Sequence, residues 1–248
     1  MADRGGPTDW DEVTAVILAG GLGTRLQSVV SDRPKCLADV NGRPFIAYQL
    51  DRLAALGVSR VVICTGYLAE HVEAAVGAVY GPLRITYSRE GSPLGTGGAL
   101  RLAVGAVTTP YMLVLNGDSL CDAELEVLLV ASRAARGAPT VLLVHVTDTA
   151  AFGRVTWDED AIGCRITGFL EKGVEGPGWV NAGVYLVAAA DVAAIDESRP
   201  CSLERVVFPR WIASGRLRAA RTAASFIDMG TPETYRRVSE YLETVRPR

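Results

Sequence analysis

Short apolar runs alternate along the chain with segments whose apolar residues recur at helical spacing. Residues 13–18 (VTAVIL) form the first run and end in Ala19-Gly20-Gly21, which predicts a buried strand opening into a glycine loop. In residues 44–56, Ile46, Leu50, Leu53 and Ala54 share one helical face behind a starting proline, and Gly57 ends the segment. Strand-like runs follow at 60–65 (RVVICT), 83–87 and 111–115 (YMLVL), the last leading into Asn116-Gly117-Asp118. Helices are expected at 68–79 and 97–107. Strand and helix repeated at this spacing predict an α/β fold with a mixed, mostly parallel central sheet and helices on both faces.

The second half has a different rhythm. Residues 140–146, 153–157, 166–170 and 179–187 read as strands with few helices between them. Helices are expected at 202–213 and 232–245, with short strands at 217–221 and 225–228. This reads as an extension of the same sheet carrying a substrate-binding part. No proline-rich linker, tandem repeat or low-complexity stretch divides the chain, so one domain is expected. Ligands of such sheets gather at the carboxyl ends of the strands, where the glycine and aspartate motifs fall.

Composition narrows the function classes. The 248 residues are enough for one large domain with a real core. A net charge of -3 argues against a general nucleic-acid binder. No apolar run reaches the roughly 18 residues of a membrane span. Residues 1–11 are polar and acidic and lack the pattern of a signal peptide, so a cytoplasmic protein is expected. Cys36, Cys64, Cys121, Cys164 and Cys201 are odd in number and form no CxxC pair, which predicts free thiols in a reducing compartment. Of 25 basic residues only Lys35 and Lys172 are lysines. Where lysine survives such an arginine bias, a compact point charge is the natural reason, with chance survival the alternative.

The first chemical motif is Gly20-Gly21-Leu22-Gly23-Thr24-Arg25-Leu26, followed by Lys35. A triphosphate needs backbone N–H groups that approach closely and fixed positive charge nearby; glycines supply the first, and Arg25 and Lys35 the second. The loop has neither the GxGxxG spacing of dinucleotide binding nor the GxxxxGK[ST] of a P-loop. Asp118 and Asp228 each sit at the end of a predicted strand. Hard oxygens at strand ends suit Mg2+, although each aspartate alone is also an ordinary turn residue. His71 and His145 lie in no nucleophile motif, so a histidine-dependent mechanism has little support.

With these motifs the chain resembles the nucleotidyltransferases that activate sugar 1-phosphates, roughly from Val13 to Tyr241. Their signature is similar to Gly20–Leu26 with the later Pro34-Lys35. Pro93-Leu94-Gly95-Thr96-Gly97-Gly98-Ala99 resembles the family's base-binding loop, and Asn116-Gly117-Asp118 its metal motif. Glu171-Lys172 and Asn181-Ala182-Gly183 are similar to its sugar-contact segments, and Asp228-Met229-Gly230-Thr231-Pro232 to its closing motif. The resemblance implies a Rossmann-like nucleotidyltransferase fold with a flexible segment at 1–12 and a single domain at 13–248. Within it, a nucleotide-binding part would span about 13–135 and a sugar-binding part about 136–248. It further implies nucleotide contacts from Leu18, Ala19, Gly20, Gly21, Gly23, Thr24, Arg25, Gly95, Thr96 and Gly117. Sugar contacts would come from Gly153, Glu171, Lys172 and Asn181, and a Mg2+ cofactor would sit on Asp118 and Asp228. Arg25, Lys35, Asp118, Lys172 and Asp228 would carry the chemistry. The small-molecule partners would be a nucleoside triphosphate and a sugar 1-phosphate. Relatives form dimers or tetramers, which leaves a homo-oligomer open.

Gln27 through Lys35 and the run VNGRPFIAY from Val40 are similar to the D-glycero-D-manno-heptose 1-phosphate guanylyltransferases, which implies GTP and a heptose 1-phosphate. Mannose, glucose or MurNAc 1-phosphate with ATP, GTP or UTP is the alternative, and a non-catalytic homologue a further one. Cys36 departs from the family's usual second proline, and residues 93–99 lack the glutamine frequent in enzymes for pyrimidine nucleotides.

Overall fold

The computed structural model describes residues 5–21, 23, 26, 29–30, 32–170, 172–196 and 200–244. The first half contains β1 (Val13–Leu18), a small hairpin of β2 (Asp39–Val40) and β3 (Arg43–Pro44), α1 (Phe45–Ala55), β4 (Arg60–Thr65) and α2 (Ala69–Val76). It continues with β5 (Val79–Tyr80), β6 (Leu83–Arg89), α3 (Gly95–Ala103), β7 (Tyr111–Asn116), β8 (Ser119–Cys121) and α4 (Glu126–Ala134). The second half has β9 (Thr140–Val146), β10 (Val155–Asp160), β11 (Gly163–Phe169), β12 (Gly178–Ala188) and α5 (Ala189–Ala193). It ends with α6 (Phe208–Ala213), β13 (Arg218–Thr222), β14 (Phe226–Asp228) and α7 (Pro232–Thr244).

One ten-stranded sheet runs in the order β10-β11-β13-β9-β12-β7-β1-β4-β6-β5. Strand alternation sorts its side chains onto two faces. Val13, Ala15 and Ile17 of β1 join one core with Leu50 and Leu53 of α1, Val72 of α2 and Leu128 of α4. Val16 points the other way, into a core with Leu100 of α3, Val192 of α5 and Phe208 of α6. Helices therefore cover both faces, and the sheet is mixed. The first-half strands β7, β1, β4 and β6 are all parallel. Across the whole sheet, however, only β13 with β9 adds a parallel pair, and five neighbouring pairs are antiparallel. "Mostly parallel" thus describes the first half alone, because the second half is joined by hairpins and returns instead of helical crossovers.

Element ends differ where glycine or proline intervenes. The helix expected to reach 79 stops at Val76, since Gly77 takes φ +73° and frees Val79–Tyr80 to pair with β6. The helix expected at 202–213 opens as a wide turn at Leu203–Val207 before α6, with Pro209 in the first turn of α6 unable to donate. The strands expected at 153–157 and 166–170 are β10 and β11, shifted toward the turn that joins them. Helix α4, absent from the sequence reading, lies across β9 and β13. All five cysteines are buried free thiols. No helix among the described residues is long and apolar enough to cross a membrane.

Candidate active site

Strand β1 delivers its glycine loop into a notch between β7 and β4. Ala19 N–H donates to the Cys64 carbonyl (2.9 Å), and Gly117 N–H to the Leu18 carbonyl (3.0 Å). A Cβ on Gly117 would sit 2.7 Å from that same Leu18 oxygen, so only glycine lets the two strand ends approach this closely. Gly23 holds the left-handed conformation at φ +60°. The resulting cleft has a volume of about 180 Å³. Leu18, Ala19, Gly21, Gly23, Lys35, Gly117 and Asp118 form its wall, together with Cys36 and Gly230. A larger cavity of about 440 Å³ lies between α1, the segment after β8 and α7, and includes none of the anticipated site residues. Chemistry, not size, marks the smaller one.

Lys35 begins a one-turn helix, Lys35–Leu37, and its Nζ lies 2.7 Å from Asp118 Oδ2. The lysine side chain is 12% exposed and the aspartate 35%, so the positive charge is set into the wall and the carboxylate faces the opening. Below them Cys36 is buried, and burial pushes its thiol up to about 12, which keeps it protonated and inert. Asp118 and Asp228, far apart in sequence, meet through a small sheet. β14 pairs with β8 so that Asp228 stands opposite Ser119, and Met229 N–H donates to the Asp118 carbonyl at 2.7 Å. Gly230 lies beneath the Asp228 carboxylate, which occupies the space a Cβ there would need. Asp118, just before β8, and Asp228, the last residue of β14, both offer hard carboxylate oxygens, the donor chemistry of Mg2+, and among the described residues no cluster of three or more His, Cys, Asp or Glu is found. That ion binds through one or two carboxylates and fills its shell with water and phosphate oxygen.

The second glycine segment behaves differently. Gly95 takes φ +73°, and Gly97 and Gly98 N–H both donate to the Cys201 carbonyl, at 2.8 and 3.2 Å. The Thr96 hydroxyl accepts from Leu203 N–H (2.8 Å) and donates to Glu204 Oε2 (3.1 Å), so it faces the 201–204 segment. Just before this segment stands Glu90, which sequence reasoning missed. Its Oε2 accepts from Leu94 N–H at 2.7 Å, and its Oε1 occupies the space a Cβ on Gly20 would need. Burial raises its carboxyl above the ordinary glutamate value. The available signal was an acidic residue directly after a strand, three positions before Pro93.

On the sugar side, Asn181-Ala182-Gly183 forms an irregularity in β12, where the register against β9 shifts. Gly183, at φ +72°, is pressed against the side chains of Asn116 and Ser119, which brings this segment to the end of β7 beside Gly117-Asp118. The Asn181 amide is partly committed: its Oδ1 accepts from Gly183 N–H (2.9 Å) and its Nδ2 donates to the Tyr185 hydroxyl (3.0 Å). Gly153, at φ +82°, closes a backbone turn onto Thr149. Lys172 is exposed, with no ion pair to any described acidic residue. Gly20, Gly95, Thr96, Gly153, Lys172, Asn181 and Asp228 stand outside the wall of the Lys35–Asp118 cleft. Thr24, Arg25 and Glu171 lie outside the described residues.

A glycine-walled cleft at the carboxyl ends of parallel strands, holding a lysine and a carboxylate, is the site of an enzyme that handles phosphates. The nucleotidyl transferase family model matches residues 14–245, and the chain belongs to that family. It is 38% identical over 233 residues to the mannose-1-phosphate guanylyltransferase of Mycobacterium tuberculosis, covering 92% of this chain and 64%, less than two thirds, of that protein. It is 32% identical over 229 residues to the D-glycero-alpha-D-manno-heptose 1-phosphate guanylyltransferase of Aneurinibacillus thermoaerophilus, covering 92% of this chain and 98% of that one. Among solved structures, HddC from Yersinia pseudotuberculosis superposes with a TM-score of 0.82 at 31% identity, over 92% of this chain and 99% of that chain. Its complex with GMP-PN gives 0.81 over the same shares.

Proposed function

We propose that the chain transfers GMP from GTP to a sugar 1-phosphate, giving a GDP-sugar and pyrophosphate, with D-glycero-α-D-manno-heptose 1-phosphate as the acceptor. The Lys35–Asp118 pair in the glycine-walled cleft carries this reading. The heptose is supported by the relative that this chain matches along 98% of its length. Mannose 1-phosphate is the second reading, supported by the 38% identical mycobacterial protein. The reading assigns the chain to the cytoplasm, in keeping with its five free thiols.

A sugar phosphate is already an anion near neutral pH, so its oxygen needs no strong base to attack the α-phosphorus. The new P–O bond forms as the bond to the β-phosphate oxygen breaks, and pyrophosphate leaves with that electron pair. The protein's task is positioning and charge neutralisation. Backbone N–H groups of the first glycine loop receive the phosphates, and Lys35, set in the wall, offsets their charge. Asp118 and Asp228 would hold Mg2+, which when bound adds positive charge at the phosphate oxygens. Lys172 would receive the acceptor phosphate, Glu171 and Asn181 the sugar hydroxyls, and Arg25 would add charge behind the loop. Pyrophosphate release over a grid of GTP, ATP, UTP, CTP and dTTP against heptose, mannose, glucose and MurNAc 1-phosphates tests the reading. A dominant GTP–heptose signal, lost in Asp118→Asn, supports it. A dominant signal elsewhere in the grid discards the substrate, and silence throughout discards the reaction.

A further inference from the structure

We infer that Gln49, buried in α1, is a positioning residue for Asp118: its side-chain amide spans the turn that carries this carboxylate and so tunes metal binding from outside the cleft. The inference rests on the nucleotidyl-transfer reading and adds to it a residue that touches neither substrate nor metal.

Gln49 lies three residues past Ile46 and four before Leu53, so it falls on the buried stripe of α1. It is 1% exposed. A polar side chain in such a place costs stability unless it is hydrogen-bonded. Its Nε2 donates to the Asn116 carbonyl at 2.8 Å and to the Ser119 carbonyl at 2.9 Å. One NH2 group thus uses both its hydrogens across Gly117-Asp118, the turn between β7 and β8. The reverse orientation of the amide would set its oxygen against two carbonyl oxygens, so these two acceptors fix which end faces the turn. The Oε1 at the other end has no hydrogen-bond partner. A methionine would fill similar space without an orphaned oxygen, so packing alone does not account for a glutamine, whereas the two donated bonds do.

The rest of the turn is held from other sides. Gly117 N–H donates to the Leu18 carbonyl (3.0 Å), and the Asp118 carbonyl accepts from Met229 N–H (2.7 Å). With the two bonds from Gln49, a backbone group on each of four successive residues is tied to β1, to α1 or to the segment after β14. What is left to adjust at Asp118 is its side chain, which faces the opening. Arg52, three residues further along α1, donates to the carbonyls of Cys121 and, at 2.8 Å, of Ala123. Helix α1 therefore grips β8 at both ends, and Gln49 holds the end that bears Asp118. Mg2+ demands a near-ideal octahedral arrangement of oxygens, so a carboxylate ligand whose backbone can drift loses metal affinity before the fold is lost. Groups that orient a metal ligand from behind are typically worth about 10- to 100-fold in metal affinity or activity.

A simpler role for Gln49 is to pin α1 to the sheet and nothing more. Gln49→Met keeps the length and loses both donors, while Ile46→Ala loosens the same helix through its core contacts. The two variants are compared with wild type by melting temperature, by the Mg2+ dependence of pyrophosphate release and by Mn2+ binding. Mn2+ is titrated with GTP present and no acceptor, and followed by electron paramagnetic resonance without turnover. In Gln49→Met the Mg2+ half-saturation should rise about tenfold and Mn2+ affinity fall by a similar factor, with KM for the sugar phosphate within about twofold. Ile46→Ala should lower the melting temperature at least as far and leave both metal values at wild type. Metal values unchanged in Gln49→Met, or moved equally by Ile46→Ala, overturn the inference. The wild type supplies a test that needs no variant to fold. The chain has only two glutamines, Gln27 and Gln49. The side-chain amide protons of Gln49 should exchange with solvent at least about a hundredfold more slowly than those of free glutamine, and their resonances should shift when Mg2+ and GTP are added. Fast exchange, or resonances blind to the metal, overturns the inference. Pyrophosphate release with wild-type metal dependence in Gln49→Met would sink the role of Gln49 and leave nucleotidyl transfer intact. Gln49-dependent Mn2+ binding without pyrophosphate release from any sugar phosphate would do the reverse.

Discussion

Residues 20–23 and 95–98 carry the same sign in sequence, three glycines within four residues, and use them for opposite ends. At Gly21 a Cβ would meet nothing within 4 Å, and at Gly23 only Lys35 Cβ at 3.5 Å. Both line the cleft. In the second segment a Cβ on Gly95 would lie 2.6 Å from the Cys201 carbonyl oxygen, and one on Gly97 3.1 Å from it. Gly21 and Gly23 leave space for something from outside the chain, whereas Gly95 and Gly97, like Gly20 against Glu90, let the chain approach itself. A glycine-rich loop is therefore evidence of close approach, and only the surrounding atoms say whether ligand or backbone is approaching.

The strongest break of this comparison removes the charge that the first segment faces. Asp118→Asn should lower kcat about a thousandfold, roughly 4 kcal/mol of barrier, with the fold retained by circular dichroism. Next, Gly95→Ala should lower stability by about 3 kcal/mol, because it combines a left-handed residue with a backbone clash; thermal melting reads it out. Gly21→Ala sharpens the contrast. Its stability should stay within about 0.5 kcal/mol of wild type. Nucleotide affinity should nevertheless fall roughly tenfold, about 1.4 kcal/mol, as the methyl enters the cleft. A melting loss at Gly21 comparable to that at Gly95 would erase the distinction. The smallest effect is in pH. Burial raises the Glu90 pKa above the ordinary glutamate value. A raised carboxyl pKa contributes stability at low pH that is lost as pH rises through the folded value. The melting temperature should therefore fall slightly as pH rises through that value, and Glu90→Gln should remove this part of the fall. Identical pH profiles for the two proteins would take Glu90 out of the titration.

Legibility followed burial. Strands β1, β4 and β7 are covered on both faces, and their unbroken apolar runs give their limits to the residue or nearly so. Strands β10 and β11 form a half-exposed hairpin whose mixed composition, as in Thr156-Trp157-Asp158, hides its ends. Lys35 and Asp118 were readable because each sits within a short motif, and the structure brings them into contact. Thr96 was expected to contact the nucleotide, but its hydroxyl's partners lie at 203–204, a tertiary contact that no local pattern encodes. Glu90 was missed for a related reason: a lone acidic residue after a strand looks like any solvated one until Gly20 is placed against it.

The Cys201 carbonyl that receives Gly97 and Gly98 has a consequence for the order in which the molecule becomes competent. The bond from Leu203 to Thr96 spans 107 residues of chain. A ribosome adds about 5–20 residues per second, so the second glycine segment waits on the order of ten seconds for its partner to emerge. During that interval the nascent protein holds the strands of its first half without the segment that anchors residues 95–98. A fragment ended before residue 200 would be caught permanently at that stage. Splitting the chain into two polypeptides near residue 200 would then anchor Gly97 and Gly98 only on reassembly, so protection of their amides would report completed folding.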